Sequence, residues 1–181
     1  MKKLMQFISV SIFSFILLSL NGCDPFESRY ITLSIDTELN TVGIGPNISI
    51  TNDLCLSDED DYNDNKDDIE EIKYVTAAYT TISASNGLSG SNLTLRVLQS
   101  DGVTLLFDYV IPTFVAANYI NNPLKIELTQ QEINNVNEYL RNHQQNNCFR
   151  AELTVNNAGD NDGPPFFING KIQFLTEIKL K

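Results

Sequence analysis

The stretch LTLRVLQSDGVTLLFDYVI, residues 93–111, decides the architecture. Leu93, Leu95 and Val97 alternate with Thr94 and Arg96. After Ser100-Asp101-Gly102, the apolar residues Val103, Leu105, Phe107, Tyr109 and Ile111 alternate again. Successive side chains of a strand point to opposite faces, so a period of two predicts two half-buried strands. The Ser-Asp-Gly between them is a hairpin signal, because Asp and Gly accept the backbone angles of a tight reversal. Pro112 brings no N–H to a ladder and is expected to end the second strand.

The same period continues outward in both directions. Toward the N-terminus, Ile69–Ser85 reads as a long strand with Ile72, Tyr74, Thr76, Ala78, Thr80 and Ile82 on one face. Before it come Ile31, Leu33 and Ile35, a turn at Gly43-Ile44-Gly45-Pro46, and a short strand over 47–50. Toward the C-terminus, Leu124, Ile126 and Leu128 alternate, as do Phe149, Ala151, Leu153 and Val155, and finally Ile172, Phe174, Thr176 and Ile178. One helix interrupts them. Thr129-Gln130-Gln131-Glu132 is a capping box, and Ile133, Val136 and Leu140 follow on one helical face, so a helix is expected over 130–143. His143 falls at its end, where it can cap the last carbonyls and meet the helix dipole. About eight strands with one helix predict a mainly all-β fold, an antiparallel two-sheet β-sandwich of immunoglobulin-like or related topology. A closed barrel is the alternative.

Residues 58–71 break the alternation: nine of these fourteen positions are Asp or Glu, and Lys66 is the sole counter-charge. Such a run is expected to stay solvated, as an acidic loop over 57–68. Oxygen-rich loops suit Ca²⁺, which takes six to eight oxygen ligands. The EF-hand spacing fails in both available frames. Starting at Asp60, Tyr62 and Asn65 stand where a ligand and a glycine are wanted. Starting at Asp61, Lys66 and Ile72 are wrong. A looser Ca²⁺ site on Asp60, Asp61, Asp64, Asp67 and Asp68 is the surviving metal expectation, set against a plain solvated loop. No other cofactor is expected.

The first residues carry an address. Lys2 and Lys3 precede an uncharged, mostly apolar run from Leu4 to Leu20, the layout of a secretory signal and shorter than a membrane-spanning helix. The run ends in Leu20-Asn21-Gly22-Cys23, which resembles the lipobox of bacterial lipoproteins, although Asn21 replaces the small or apolar residue usual there. The resemblance covers about 23 residues. It implies that 1–22 is a signal peptide, that Cys23 is lipidated on its sulfur and then acylated, for example with palmitate, and that the mature protein is membrane-anchored. Residues 23–28 would be a tether and 29–181 a single domain. Asp24 resembles the inner-membrane retention signal of enterobacteria, whereas Asp24 and Glu27 together resemble the surface-export signal of Bacteroidota lipoproteins. The second likeness, with abundant Asn and no Trp, points to the outer membrane of the cell envelope.

Lipidation of Cys23 leaves Cys55 and Cys148, an even pair in an exported chain. A disulfide is the natural reading, with two buried thiols as the alternative. Loss of Lys2 and Lys3 takes the net charge from −11 to −13. A body this acidic repels phosphate backbones, so nucleic acid is excluded as a partner. The chain has one histidine, no G-x-S-x-G, no P-loop and no G-x-G-x-x-G. A pair of catalytic carboxylates is the only enzymatic route left open. The expectation is therefore a non-enzymatic binding or accessory module of the envelope, meeting a protein or glycan partner. A structural subunit of an envelope complex comes next, and a carboxylate-dependent hydrolase last.

Overall fold

Residues 29–181 are described by a computed structural model. The expected signal peptide 1–22, the lipidation residue Cys23 and the tether 23–28 lie outside the described residues. Among the described residues eight strands build two sheets: β1 (Arg29–Gly43), β2 (Ile48–Cys55), β3 (Ile69–Ala84), β4 (Ser89–Gln99), β5 (Leu105–Val115), β6 (Leu124–Ile126), β7 (Cys148–Asn156) and β8 (Phe166–Leu180). One sheet has the order β1-β8-β3-β6 and the other β2-β7-β4-β5, antiparallel throughout. Only the β4–β5 hairpin stays within one sheet; every other connection crosses the sandwich or leaves a neighbour for later. This is jelly-roll order, so the expected two-sheet sandwich belongs to the related topologies and not to the seven-strand immunoglobulin arrangement.

The period-two reading places most of the core. Leu93, Leu95, Val97, Phe149, Ala151, Leu153, Val155, Ile172, Phe174 and Ile178 all point between the sheets and are buried. Phe107, Phe149 and Phe174 meet at its centre, with the Phe174 ring centroid 5.6 Å from that of Phe107 and 5.6 Å from that of Phe149. Elsewhere in the core, Gly170 packs closely against Tyr79 and Leu153: a Cβ there would stand 2.8 Å from the Tyr79 ring and 2.9 Å from Leu153.

Three expectations change. In β3 the inward face runs Ile72, Tyr74, then Ala77, Tyr79 and Thr81, while Ile82 is exposed. The register shift between Tyr74 and Thr76 is the reason: it inserts a residue and moves the following side chains to the opposite face, up to a second shift between Thr81 and Ser83. In β5, Val103 belongs to the turn and is 79% exposed, and Leu106 and Phe107 are both buried next to a register shift at Val97/Leu98. The strand also runs through Pro112 to Val115, which an edge strand tolerates because one side of its backbone has no ladder partner.

The main helix, α2 (Gln130–Leu140), ends at Leu140 instead of 143. Its capping box is formed: the Thr129 hydroxyl accepts from the Glu132 amide at 3.3 Å, and Glu132 Oε2 accepts from the Thr129 amide at 2.8 Å. Because β6 is only three residues long, the seam between β3 and β5 would lie open below it. Helix α2 lies in that seam. Val136, Tyr139 and Leu140 are buried, Asn137 Oδ1 accepts from the Tyr74 amide at 2.8 Å, and the Tyr139 hydroxyl donates to the Cys148 carbonyl at 2.7 Å. Among the described residues no helix is long and apolar enough to cross a membrane.

Candidate functional site

The register pairs assign every loop to one of two ends. Arg29 pairs with Leu180 and Ile69 also pairs with Leu180, so the described chain enters and leaves at one end, here the near end. That end also holds 56–68, the 100–104 turn and 127–147. Gly43 pairs with Phe166, which puts 44–47, 85–88, 116–123 and 157–165 at the far end.

The near end carries the acidic run. Instead of a loop, it forms a 3₁₀ turn (Leu56–Asp58) and a short helix, α1 (Asp60–Asn65). The residue that upset the EF-hand pattern explains the change. Tyr62 is 3% exposed: its side chain plugs the end of the sandwich and its hydroxyl lies 3.1 Å from both the Nδ1 and the carbonyl oxygen of His143. The two rings meet edge to face at 5.8 Å. His143 is therefore a buried partner of α1 and does not cap α2 with a positive charge. Burial lowers the pKa of His143 and raises that of Tyr62, favouring the neutral form of each. Cys55 and Cys148 form the last register pair of β2 and β7, with Cα atoms 4.0 Å apart, and are joined there as a disulfide. The Leu56 amide donates to the Asn147 carbonyl just beyond it at 2.7 Å. Buried Tyr62 and the covalent link together hold an acidic segment that would otherwise be expelled by its own charge.

The five carboxylates named as Ca²⁺ ligands sit on the outside of this structure. Asp60, Asp61 and Asp64 lie on α1, Asp67 and Asp68 in the turn after it, and all five are exposed. Asp60 and Asp64 share a helix face, while Asp61 is rotated from Asp60 by about 100°. Among the described residues no three His, Cys, Asp or Glu side chains come close enough to hold a metal ion. Like charge does accumulate: burial first, then Asp36, Asp58, Asp60 and Asp61, raise the pKa of Glu59.

The far end is built differently. Its loops are bonded to one another through the backbone: Ala158 N–H to the Pro46 carbonyl at 2.6 Å, Ala116 to Leu88 at 3.0 Å, Asn161 to Asn86 at 3.1 Å, and Ser89 and Gly159 reciprocally at 2.8 and 3.0 Å. Asp160 accepts the Asp162 and Gly163 amides on one carboxylate oxygen and closes the 157–165 loop. On this frame stand exposed apolar side chains, Val42 (62%), Ile44 (81%), Ile82 and Ile120. Of the aromatics at this end, Phe166 is buried, Phe167 is half-buried, and Tyr119 stacks on Phe114 with centroids 5.8 Å apart. The non-glycine residues with positive φ among the described residues are Thr113 (51°), Asn121 (56°) and Asn157 (49°), all at or next to this end. Asn tolerates that region; Thr, branched at Cβ, is strained there. Strained backbone concentrates where a surface has work other than stability.

One further concavity is a solvent-open groove of about 390 Å³ between β3 and α2, lined by residues that include Glu70, Glu71, Glu138, Lys73 and Arg141. Two of its carboxylates are engaged, Glu71 by Lys73 at 2.7 Å and Glu70 by Lys179 at 2.8 Å. These contacts raise the pKa of both lysines.

No protein-family model and no curated protein sequence matches the chain. Among solved structures it is similar to the giant freshwater prawn Macrobrachium rosenbergii nodavirus semi-empty VLP, at 8% identity over 88% of this chain and 96% of that one with a TM-score of 0.41. It is also similar to tobacco necrosis virus, at 8% identity over 85% and 87% with a TM-score of 0.39. A third likeness is to infectious bursal virus derived T=1 particles, at 12% identity over 88% of this chain and 39% of that one, with a TM-score of 0.36.

Proposed function

We propose that this chain is a lipid-anchored envelope protein, held at Cys23, that acts as a non-enzymatic binding or accessory module and presents the far-end loops to a protein or glycan partner. The observation that carries the reading is the position of Arg29. Five residues lie between Cys23 and Arg29, and the six Cα-to-Cα steps span at most about 20 Å fully extended. An anchor on Cys23 therefore keeps the near end closest to the bilayer and turns the loops 44–47, 85–88, 116–123 and 157–165 outward. The acidic run on the near end is repelled by anionic head groups, so attachment comes from the lipid and the body stands off the surface. The resemblance of Asp24 and Glu27 to surface-export signals favours the outer membrane. The pre-bonded far-end loops suit binding, since a partner need not order them on contact.

The test has two arms in intact cells. Cys23→Ser should abolish fatty-acid labelling and move the product to the soluble fraction; labelling and membrane retention without the thiol would refute the anchor. A photo-crosslinking side chain at Ile44 should trap a discrete envelope component that the same probe at Asp61 does not. Equal adducts from both positions, or none from Ile44, would refute far-end presentation.

A further inference from the structure

The geometry points to Asn86-Gly87, in the β3–β4 turn of the far end, as a site of spontaneous backbone modification by intramolecular deamidation, with water as the co-reactant. The chain offers four Asn-Gly or Asp-Gly pairs among the described residues, and three are protected. At Asp101-Gly102 the glycine amide donates to the Gln99 carbonyl at 2.9 Å, and the carboxylate is held ionised by Thr104 and Val103. At Asp162-Gly163 the glycine amide is taken by Asp160 at 2.6 Å. At Asn169-Gly170 the pair lies in β8 between β1 and β3, and the Asn169 amide donates to Glu38 at 2.9 Å.

Asn86-Gly87 has none of these restraints. Both residues are exposed, and among the described residues nothing accepts the Gly87 N–H or engages the Asn86 side chain. Within the turn the Leu88 amide donates to the Ser85 carbonyl at 3.0 Å, and the neighbouring loops reach it only at the carbonyls of Asn86 and Leu88 and at Ser85, leaving the Asn86 side chain and the Gly87 N–H uninvolved. Gly87 has φ +79°, and a Cβ there would lie 2.5–2.9 Å from the Asn161 side chain, so no other residue takes its place without strain. Glycine is also the residue whose amide is least shielded from the side chain before it.

The step balances without a redox partner. The Gly87 amide nitrogen attacks the side-chain carbonyl carbon of Asn86, the new C–N bond forms, the old one breaks, and ammonia leaves with the Gly87 proton. Water then opens the cyclic imide at either carbonyl, giving Asp or iso-Asp at position 86. The product adds a negative charge where the Asn86 carbonyl receives the Asn161 amide, between Asp160 and Asp162 in sequence. Iso-Asp also lengthens the main chain of the turn. The chemistry stands on its own; its effect on partner binding rests on the far-end reading above.

The experiment is peptide mapping by mass spectrometry of the purified full chain, incubated folded at mildly alkaline pH and, separately, in urea. In the folded chain Asn86 should convert at least about 100-fold faster than Asn169, which must first open a central strand, and should give an Asp/iso-Asp doublet. In urea the two sites should convert at comparable rates. Asn169 keeping pace with Asn86 in the folded chain, or Asn86 persisting there while it converts in urea, would overturn the assignment. The readout needs no partner, so it fails or succeeds independently of the proposed function.

Discussion

Replacing Tyr62 by Phe tests whether the acidic segment is anchored or merely tolerated. The substitution keeps the ring that fills the end of the sandwich and removes one oxygen. That oxygen lies 3.1 Å from two buried groups, His143 Nδ1 and the His143 carbonyl. Leaving a buried polar group without its partner destabilises by about 1–3 kcal/mol. With a urea m-value of about 2 kcal/mol per molar, the unfolding midpoint should fall by roughly 0.5–1.5 M with m unchanged. A second signature separates this from a general packing defect. Burial raises the Tyr62 pKa above its ordinary 10.0, so the folded state favours the neutral phenol. That contribution is complete below pH 10 and lost as pH rises through the folded value, a loss the Phe variant should not show. An unchanged midpoint would mean that α1 sits on the sandwich through shape alone, and the account of how the acidic run is held would be wrong.

Three other perturbations follow from the same geometry. Cys55→Ser with Cys148→Ser opens a covalent link between residues 93 apart and should lower stability by up to about 4.6 kcal/mol on the chain-entropy model, read as a fall in the urea midpoint. His143 is held below its ordinary 6.5 by burial, so below pH 6.5 the unfolded chain binds a proton that the folded one resists. Stability should therefore fall from pH 6.5 down to the depressed folded value and then level off, and His143→Gln should flatten that limb in a pH series of midpoints. Thr113 is exposed at φ 51°, where a non-glycine residue is destabilised by about 1–2 kcal/mol; Thr113→Asn should raise the melting temperature by about 2–4 °C, whereas a fall would place the Thr side chain in a contact of its own.

What the sequence discloses depends on how local the controlling interaction is. The faces of β4, β7 and β8 are legible because one burial period runs unbroken through Leu93–Val97, Phe149–Val155 and Ile172–Ile178. The helix start is legible because a capping box is four residues of self-contained chemistry. β3 is misread beyond Tyr74, since a bulge leaves no mark on composition yet inverts the side chains that follow it up to the next register shift. The acidic run conceals a helix because its charge outweighs one residue, Tyr62, whose partner His143 is 81 positions away. Jelly-roll order is equally hidden: β1 chooses β8, and β2 chooses β7, through contacts that no window spans. The far-end loops show a scatter of Gly, Pro and Asn in sequence, and only their cross-bonds reveal a prebuilt surface.

β8 has a consequence for when this protein can acquire its shape. It is the last strand of the sandwich to be synthesised, yet it is the sole ladder partner of β1 and pairs with β3 along nearly its whole length. A growing chain that stops before Phe166 leaves the first strand with both backbone edges bare. Closure is thus postponed until the final segment arrives, and joining the two most distant strands makes folding slow. A chain built this way has no closed sandwich until Phe166–Leu180 has been made and can dock between β1 and β3.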